Sequence, residues 1–523
     1  MGFVLSFLVE RHLAYFRSFS RFINMLFVNN LIEKGKVKMF KPYNTGNYFD
    51  EMLDENGQPK EHYKNFYSML PKLSDDEFRE KHETAQLSFL NKGITFTVYG
   101  NKKGTERTMP FDFIPIIIPS DQWSQIERGM IQRVEALNLF LEDIYNKQNI
   151  LQDGIIPREL VEQNPYYYSK QVGGLDIPLK NHIFLAGIDL IRDENGVYRV
   201  LEDNLRNPSG LSYVYQNRFV MRQVYPEFFA EHSLHTLENQ IAHLQSALLS
   251  HTPANMPVST EPRAVLLTAG SFNSAYYDHV FLAQQLNIRL VEGRDLLVKD
   301  NEVYMKTIRG LKRVDIIYRR IDDDFLDSEA FREDSLLGVP GLMDAYKSGN
   351  VAILNAVGNG VADDKAMYAY VPDMIRYYLN EEPIIPNVET YNLRDPDQRD
   401  WVLDRLDQVV VKNVGASGGY DMLIGPHASG EEIEIFRQKI IEAPYQYIAQ
   451  PTIKLSRAPV YQEGKFYPCH IDLRVFVMKG NDVHVLPGGL SRVALKEGSL
   501  VVNSSQGGGG KDTWVLKEVM QHA

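Results

Sequence analysis

Across 523 residues there is a single cysteine, Cys469. An internal disulfide is therefore excluded, as is a metal site built from several thiolates. Thirteen histidines are scattered, with no His-x-x-x-His pair on a recognisable helix, so zinc chemistry has no support. No long basic run interrupts a formal charge of −12, which leaves a nucleic-acid partner without electrostatic footing. Nor is there an apolar run fit to span a bilayer. Residues 1–30 are rich in Phe and Leu, but Glu10, Arg11, Arg17 and Arg21 break every stretch. No small-residue cleavage site follows them, so a cytoplasmic chain without a membrane partner is expected. Gly2 with Ser6 matches a myristoylation pattern that recurs by chance. The alternative is a start at Met39, after Glu33-Lys34-Gly35-Lys36, which makes residues 1–38 an extension foreign to the native protein. A repeat of fixed period is also absent.

What remains is the composition of a soluble globular protein, 44% apolar and 24% charged, long enough for two or three lobes. Trp123, Ile126, Met130, Val134, Leu137 and Leu141 recur at intervals of three and four, which predicts an amphipathic helix starting at Pro119-Ser120-Asp121. Residues 251–262, with Pro253, Pro257 and Pro262, have a linker's composition. Beyond it, Ala264 to Leu267, Ala275 to Gln285 and Arg289 to Val291 follow a strand-helix-strand rhythm with a parallel sheet. From Val409 onward, short strands alternate with glycine-rich loops.

The segment from Gly187 to Asn204 carries the most chemistry. Asn195-Gly196 is the preferred pair for a two-residue hairpin turn, in which both residues take positive φ. Counting outward from that loop sets Asp189 opposite Glu202, with Asn204 on the same face, and pairs Leu190 with Leu201 on the other. Facing carboxylates repel unless a cation lies between them, and an Asp/Glu/Asn oxygen cluster is what magnesium prefers. A solvated hairpin with its charges in water fits the turn signal equally well. Arg206, in Arg206-Asn207-Pro208-Ser209-Gly210, adds a cation beside the carboxylates and favours the metal reading.

Val409-Val410-Val411-Lys412 is a β-branched strand ending in a lysine, followed by Gly415-Ala416-Ser417-Gly418-Gly419. Such a loop between strands offers N–H groups to phosphates, although an ordinary glycine-rich hairpin has the same text. It is not a Walker A loop. Tyr447 to Pro451 is an apolar strand with Gln450 at its break, able to present polar groups to an adenine edge. Asp472 and Arg474 share one face of a strand, either as a simple ion pair or with the arginine aimed at a transferring phosphoryl group. Arg492 follows a tight turn at Pro487-Gly488-Gly489. Ser504 to Asp512 suits a lid or a disordered connector. Cys469 and His470, as strand neighbours, point to opposite faces and make a poor nucleophilic pair.

From about Met39 to the C-terminus, the chain resembles the circularly permuted ATP-grasp family, type 2, related to glutathionylspermidine synthetase-like ligases. The likeness rests on Gly187-Ile188-Asp189-Leu190-Ile191, Leu201-Glu202-Asp203-Asn204-Leu205-Arg206 with Pro208-Ser209-Gly210, and Asn359-Gly360-Val361-Ala362-Asp363-Asp364-Lys365. It continues with Gly488-Gly489-Leu490-Ser491-Arg492 and the glycine-rich stretch before Lys511-Asp512-Thr513-Trp514. The resemblance implies an α/β fold with α+β lobes, in which the metal hairpin precedes the two nucleotide lysines instead of following them. It implies a helical or substrate lobe at 39–180 and a metal-binding part at 181–250. A Rossmann-like pre-ATP-grasp lobe at 263–355 and a nucleotide-binding part at 356–523 complete the division. By resemblance, Lys365 and Lys412 bind the phosphates of ATP and Gln450 borders adenine. Arg474 and Arg492 stabilise an acyl phosphate, and Mg2+, or alternatively Mn2+, sits on Asp189, Glu202 and Asn204. The implied partners are a small-molecule or peptide carboxylate and an amine, joined as an amide. A phosphotransferase and a nucleotide-binding scaffold without turnover remain the alternatives.

Overall fold

The computed structural model describes residues 43–98, 105–253, 255–256, 261–415, 421–495, 498–499, 502 and 507–518. The expectations for residues 1–38, for Ser417, Gly418 and Gly419, and for Ser504 to Gln506 fall outside the described residues.

Helix α1 spans Ser120–Tyr145, and all six periodic apolar residues from Trp123 to Leu141 are buried. Pro119 precedes it with extended backbone and Asp121 lies in its first turn, as a helix N-terminus favours. Strands β1 (Leu185–Arg192) and β2 (Tyr198–Asn204) then form the expected antiparallel hairpin. After the linker, β3 (Ala264–Thr268), β4 (Arg289–Val291), β5 (Ile316–Arg320) and β6 (Ala352–Leu354) make a parallel sheet of order β6-β5-β3-β4. Every residue of β3 and β5 is buried, which is why Ala264 to Leu267 and Ile316 to Tyr318 are apolar runs and not alternations.

A smaller antiparallel sheet follows, of order β7 (Tyr391–Asn392), β10 (Tyr447–Pro451), β8 (Val409–Asn413) and β9 (Met422–Ile424). Val409, Val411, Tyr447 and Ala449 pack with Ile440 of the Gly430–Glu442 helix in a small core of their own. Alternation leaves Lys412, Ile448 and Gln450 on the opposite face. The chain then returns: β11 (Lys465–Lys479) inserts beside β1, and β12 (Leu490–Val493) and β13 (Gly509–Lys511) extend the sheet beyond it. Lys511 is fully buried and ion-paired with Asp112, and Asp512 accepts from Arg218 at 2.8 Å. Gly509–Lys511 is therefore sheet, and the lid and connector readings do not hold there. A strong charge pair and a ladder of backbone bonds override its glycine-rich composition.

Two expectations for the hairpin are corrected. Only Gly196 takes positive φ (77°); the amides of Asn195 and Val197 both donate to the Asp193 carboxylate, at 3.0 and 2.9 Å, and hold a longer turn. That geometry, a turn closed by a left-handed glycine, is the three-residue loop. Pairing consequently runs Arg192 with Tyr198 and Leu190 with Val200, and Leu201 is the extra residue of a bulge. Beyond the bulge the expected register is restored, with Asp189 opposite Glu202. Leu201 is half-buried beside the site, while Val200 takes the core position.

Candidate functional site

The centre of the site is a carboxylate in the middle of a sheet. Asp189 sits on β1 between β2 and β11, facing Glu202 on one side and Arg474 on the other. It is 1% exposed. Arg474 donates Nε and Nη2 to its two oxygens at 2.6 and 2.8 Å, a fork that matches the carboxylate plane. Arg492, placed on β12 opposite Asp472, donates Nη2 to Asp189 at 2.8 Å and binds Asp472 through Nε and Nη2 at 2.8 and 2.5 Å. Arg474 thus engages Asp189 across the strands, and two acids and two arginines alternate on one face. Burial pushes the Asp189 carboxyl up, but Arg474 and Arg492 outweigh it and hold it at about 2. Asp472, buried against the single guanidinium of Arg492, is raised instead.

Glycine at 187 permits this packing. A Cβ there would lie 2.9 Å from the Pro208 side chain and 3.3 Å from Arg474 Cδ. Asn204, opposite Gly187, reaches back to Asp189 with Nδ2 at 3.5 Å.

Glu202 faces the smaller sheet. Its Oε1 lies 3.1 Å from Lys365 Nζ, at the start of the short helix Lys365–Tyr368. Lys412 Nζ donates to Gln450 Oε1 at 2.7 Å, and Gln450 Nε2 donates to Thr390 at 2.9 Å. Glu202, Asp363, Lys365, Lys412 and Gln450 line one cavity. Burial draws the Lys412 amine down to about 8, with Glu202 opposing and Lys365 adding to the shift. Gly415 N donates to Asn413 Oδ1 at 3.0 Å and opens the loop out of β8. Residues from three separated stretches of sequence therefore meet at one place.

Arg206 lies at the margin. Its Nε donates to Asp363 at 2.9 Å and its guanidinium stacks 4.0 Å over Tyr166. Four supporting residues escaped sequence reasoning. Arg133 of α1 forms a fully buried bidentate pair with Asp203, at 2.6 Å for both bonds. Asp363 accepts from the Leu205 and Arg206 amides. Tyr368 donates to Val200 O at 2.5 Å. Asp203 and Asp363 left a trace in the text, each as an unassigned acid within a family-like stretch.

The donor set has the chemistry of a hard-cation site: two carboxylates and an amide oxygen, with no thiolate or imidazole. Among the described residues no three His, Cys, Asp or Glu side chains converge as a complete protein cage. Magnesium normally takes only one or two carboxylates and completes its shell with water and phosphate, so the residues fit it.

A family model described as circularly permuted ATP-grasp type 2 matches residues 115–494. A Synechocystis sp. protein is 48% identical over 476 residues, covering 91% of this chain and 98% of its own length. A Mycobacterium tuberculosis protein is likewise 48% identical, over 92% of this chain and 86% of itself. A Frankia alni protein provisionally named a glutamate–cysteine ligase is 40% identical over 89% of this chain, which spans 54% of that protein. Among solved structures, a glutathione synthetase-like effector from Globodera pallida, in its apo form, matches with a TM-score of 0.54 at 12% identity. That match covers 85% of this chain and 98% of the effector, and it speaks to the fold alone. With a family model spanning most of its length and relatives near half identity over nine-tenths of it, this chain belongs to the circularly permuted ATP-grasp family, type 2.

Proposed function

We propose that the protein is an ATP- and magnesium-dependent carboxylate–amine ligase. The observation that carries this reading is the meeting of Glu202 with Lys365 at 3.1 Å beside Lys412, which brings acid and base from separated stretches onto one cavity. In this reading Asp189, Glu202 and Asn204 hold the metal, and 181–250 and 356–523 are the two parts of one ATP-grasp domain, with 263–355 as the pre-ATP-grasp lobe. When bound, magnesium supplies charge neutralisation to the β- and γ-phosphates.

The protein's own groups do the rest. Lys365 and Lys412 exchange Glu202 and Gln450 for phosphate oxygens, and Gly415, Ser417, Gly418 and Gly419 contribute to nucleotide binding. Gln450 then faces the adenine side. A substrate carboxylate oxygen attacks the γ-phosphorus, the bond to ADP breaks, and an acyl phosphate forms. An amine next attacks the acyl carbon, releasing inorganic phosphate and losing a proton to solvent. Arg474 and Arg492 already stand as a preorganised pair of cations for the negative charge that builds, and Arg206 flanks them. No histidine or cysteine is required.

The test is ADP release by the full chain, supplied with magnesium, ATP and mixtures of amino acids and short peptides. The ligase reading expects ADP, phosphate and amide in equal amounts, and a hydroxamate when hydroxylamine replaces the amine. ADP formed regardless of any amine would instead indicate a phosphotransferase.

A further inference from the structure

The metal arm and one phosphate lysine are held by the same short segment. Where β6 of the parallel sheet ends, Asn355 is completely buried. Its Oδ1 accepts from Phe184 N at 2.5 Å and Leu185 N at 2.9 Å, at the entry to β1. Its Nδ2 donates toward Leu185 O at 2.9 Å, Leu205 O at 2.5 Å and Arg206 O at 3.0 Å, just past β2. Four residues on, buried Asn359 donates Nδ2 to the same Leu205 carbonyl at 2.7 Å. After four more, Asp363 accepts from the Leu205 amide and, at 3.2 Å, from the Arg206 amide. The peptide groups flanking Leu205 are thus gripped on both sides, one residue past Asn204 and three past Glu202. The segment itself is anchored by the buried Arg319 of β5, which donates to Asn355 O at 2.8 Å and Ala356 O at 3.2 Å. Two residues after Asp363, the segment delivers Lys365 to Glu202.

We infer that residues 355–363 act as a clip that sets the distance between the metal-binding end of β2 and Lys365, with Asn355 and Asn359 as positioning residues for the metal. The inference rests on the ligase reading, and Asn355 and Asn359 are not among the residues lining the cavity shared by Glu202, Lys365 and Lys412. Two features make it more than ordinary packing. All three side chains converge on the main chain immediately beyond the ligand strand, and a main-chain displacement there moves Glu202 and Asn204 directly. Only side chains with one amide donor face and one acceptor face satisfy both sides at Asn355. A carboxylate of the same shape sets oxygen against three carbonyls.

The experiment compares Asn355→Asp, Asn359→Asp and Asp363→Asn with wild type in the full chain. A non-hydrolysable ATP analogue is titrated calorimetrically with and without Mg2+, and circular dichroism reports folding. Outer-shell partners of metal ligands typically change metal affinity by 10–100-fold. The two aspartate variants are therefore expected to raise the Mg2+ concentration for half-maximal tightening by at least about tenfold, with magnesium-free nucleotide affinity within about twofold. Asp363→Asn keeps an acceptor for the Leu205 amide and is expected to shift it only about threefold, so it decides the matter if the buried variants do not fold. A folded variant with wild-type magnesium dependence, or with both affinities falling in proportion, overturns the clip. Wild type lacking magnesium-dependent nucleotide binding would remove the ligase reading itself, a distinguishable failure.

Discussion

The hairpin and the lysine-bearing sheet meet at one cavity but are built differently. All eight residues of β1 are buried, flanked by β2 and β11 within the larger sheet. The sheet that carries Lys412 is backed, among the described residues, by a core of nine buried side chains. Asp189 is held by three charge-assisted bonds, whereas Lys412 donates to a neutral amide. Deep burial with full charge pairing fixes the Asp189 side chain before anything binds; a thin core with a neutral partner leaves the other arm free to adjust. Regions with few buried apolar contacts open at lower free energy, which is where moving parts of binding sites are drawn from.

The largest effect should come from Asp189→Asn. Removing one partner of a buried charge group costs about 3–5 kcal/mol, readable in urea or thermal unfolding. Lys412→Ala should cost only about 1.5–3 kcal/mol, the worth of one hydrogen bond from a charged group. Equal losses in the two variants would erase the contrast. Next, Glu202→Gln should weaken magnesium-dependent ATP binding about 100-fold with the fold intact; unchanged affinity in a titration counts against the metal assignment. Lys412→Ala should lower nucleotide affinity about 10–100-fold, as loss of a charged hydrogen bond does. Normal turnover in that variant means the phosphate site lies elsewhere.

A pH series sharpens the same comparison. Burial brings the Lys412 amine to about 8, so it loses its proton, and its grip on phosphate, as pH rises through that value. ATP affinity should therefore fall between pH 8 and 10, and Lys412→Arg should flatten the profile because arginine stays charged. Asp189, held at about 2, should contribute no change across that window. Smallest is Gly196→Ala, at about 1–2 kcal/mol by chemical denaturation. Alanine resists φ 77°, and its Cβ would meet the Phe49 ring at 2.5 Å.

Much of this site was legible because its local signals are strong. Asn195-Gly196 announced a hairpin, and the Asp189–Glu202 register came out as counted, though for a partly wrong reason. A turn longer by one residue is offset by the bulge at Leu201, and two errors of opposite sense cancel in the register. The strand-helix-strand unit from Ala264 to Val291 was equally readable, since buried parallel strands announce themselves as apolar runs. The pairing of Arg133 with Asp203 was invisible because it joins α1 to β2 across 70 positions, with no periodicity to betray it. The Arg474–Asp189 fork spans 285 positions, and its arginine has an acid two residues away that looked like its partner. Long-range ion pairs are chosen by topology, which composition and spacing do not encode.

The last strand among the described residues has a consequence for how the molecule is made. Thr513–Val515 pairs in parallel with Ile116–Ile118, and Trp514, completely buried, packs against Phe66 and Phe228. Residues near the start of the described chain thus wait for roughly 400 more to leave the ribosome before their sheet edge is covered. At translation speeds of about 5–20 residues per second, that leaves an open strand and bare aromatic rings for roughly 20–80 s. A message truncated just after the match to the family model would strand that lobe unfinished even with every proposed ligand residue present. Such a fragment should be a substrate for chaperones and proteases before it is ever a nucleotide-binding protein.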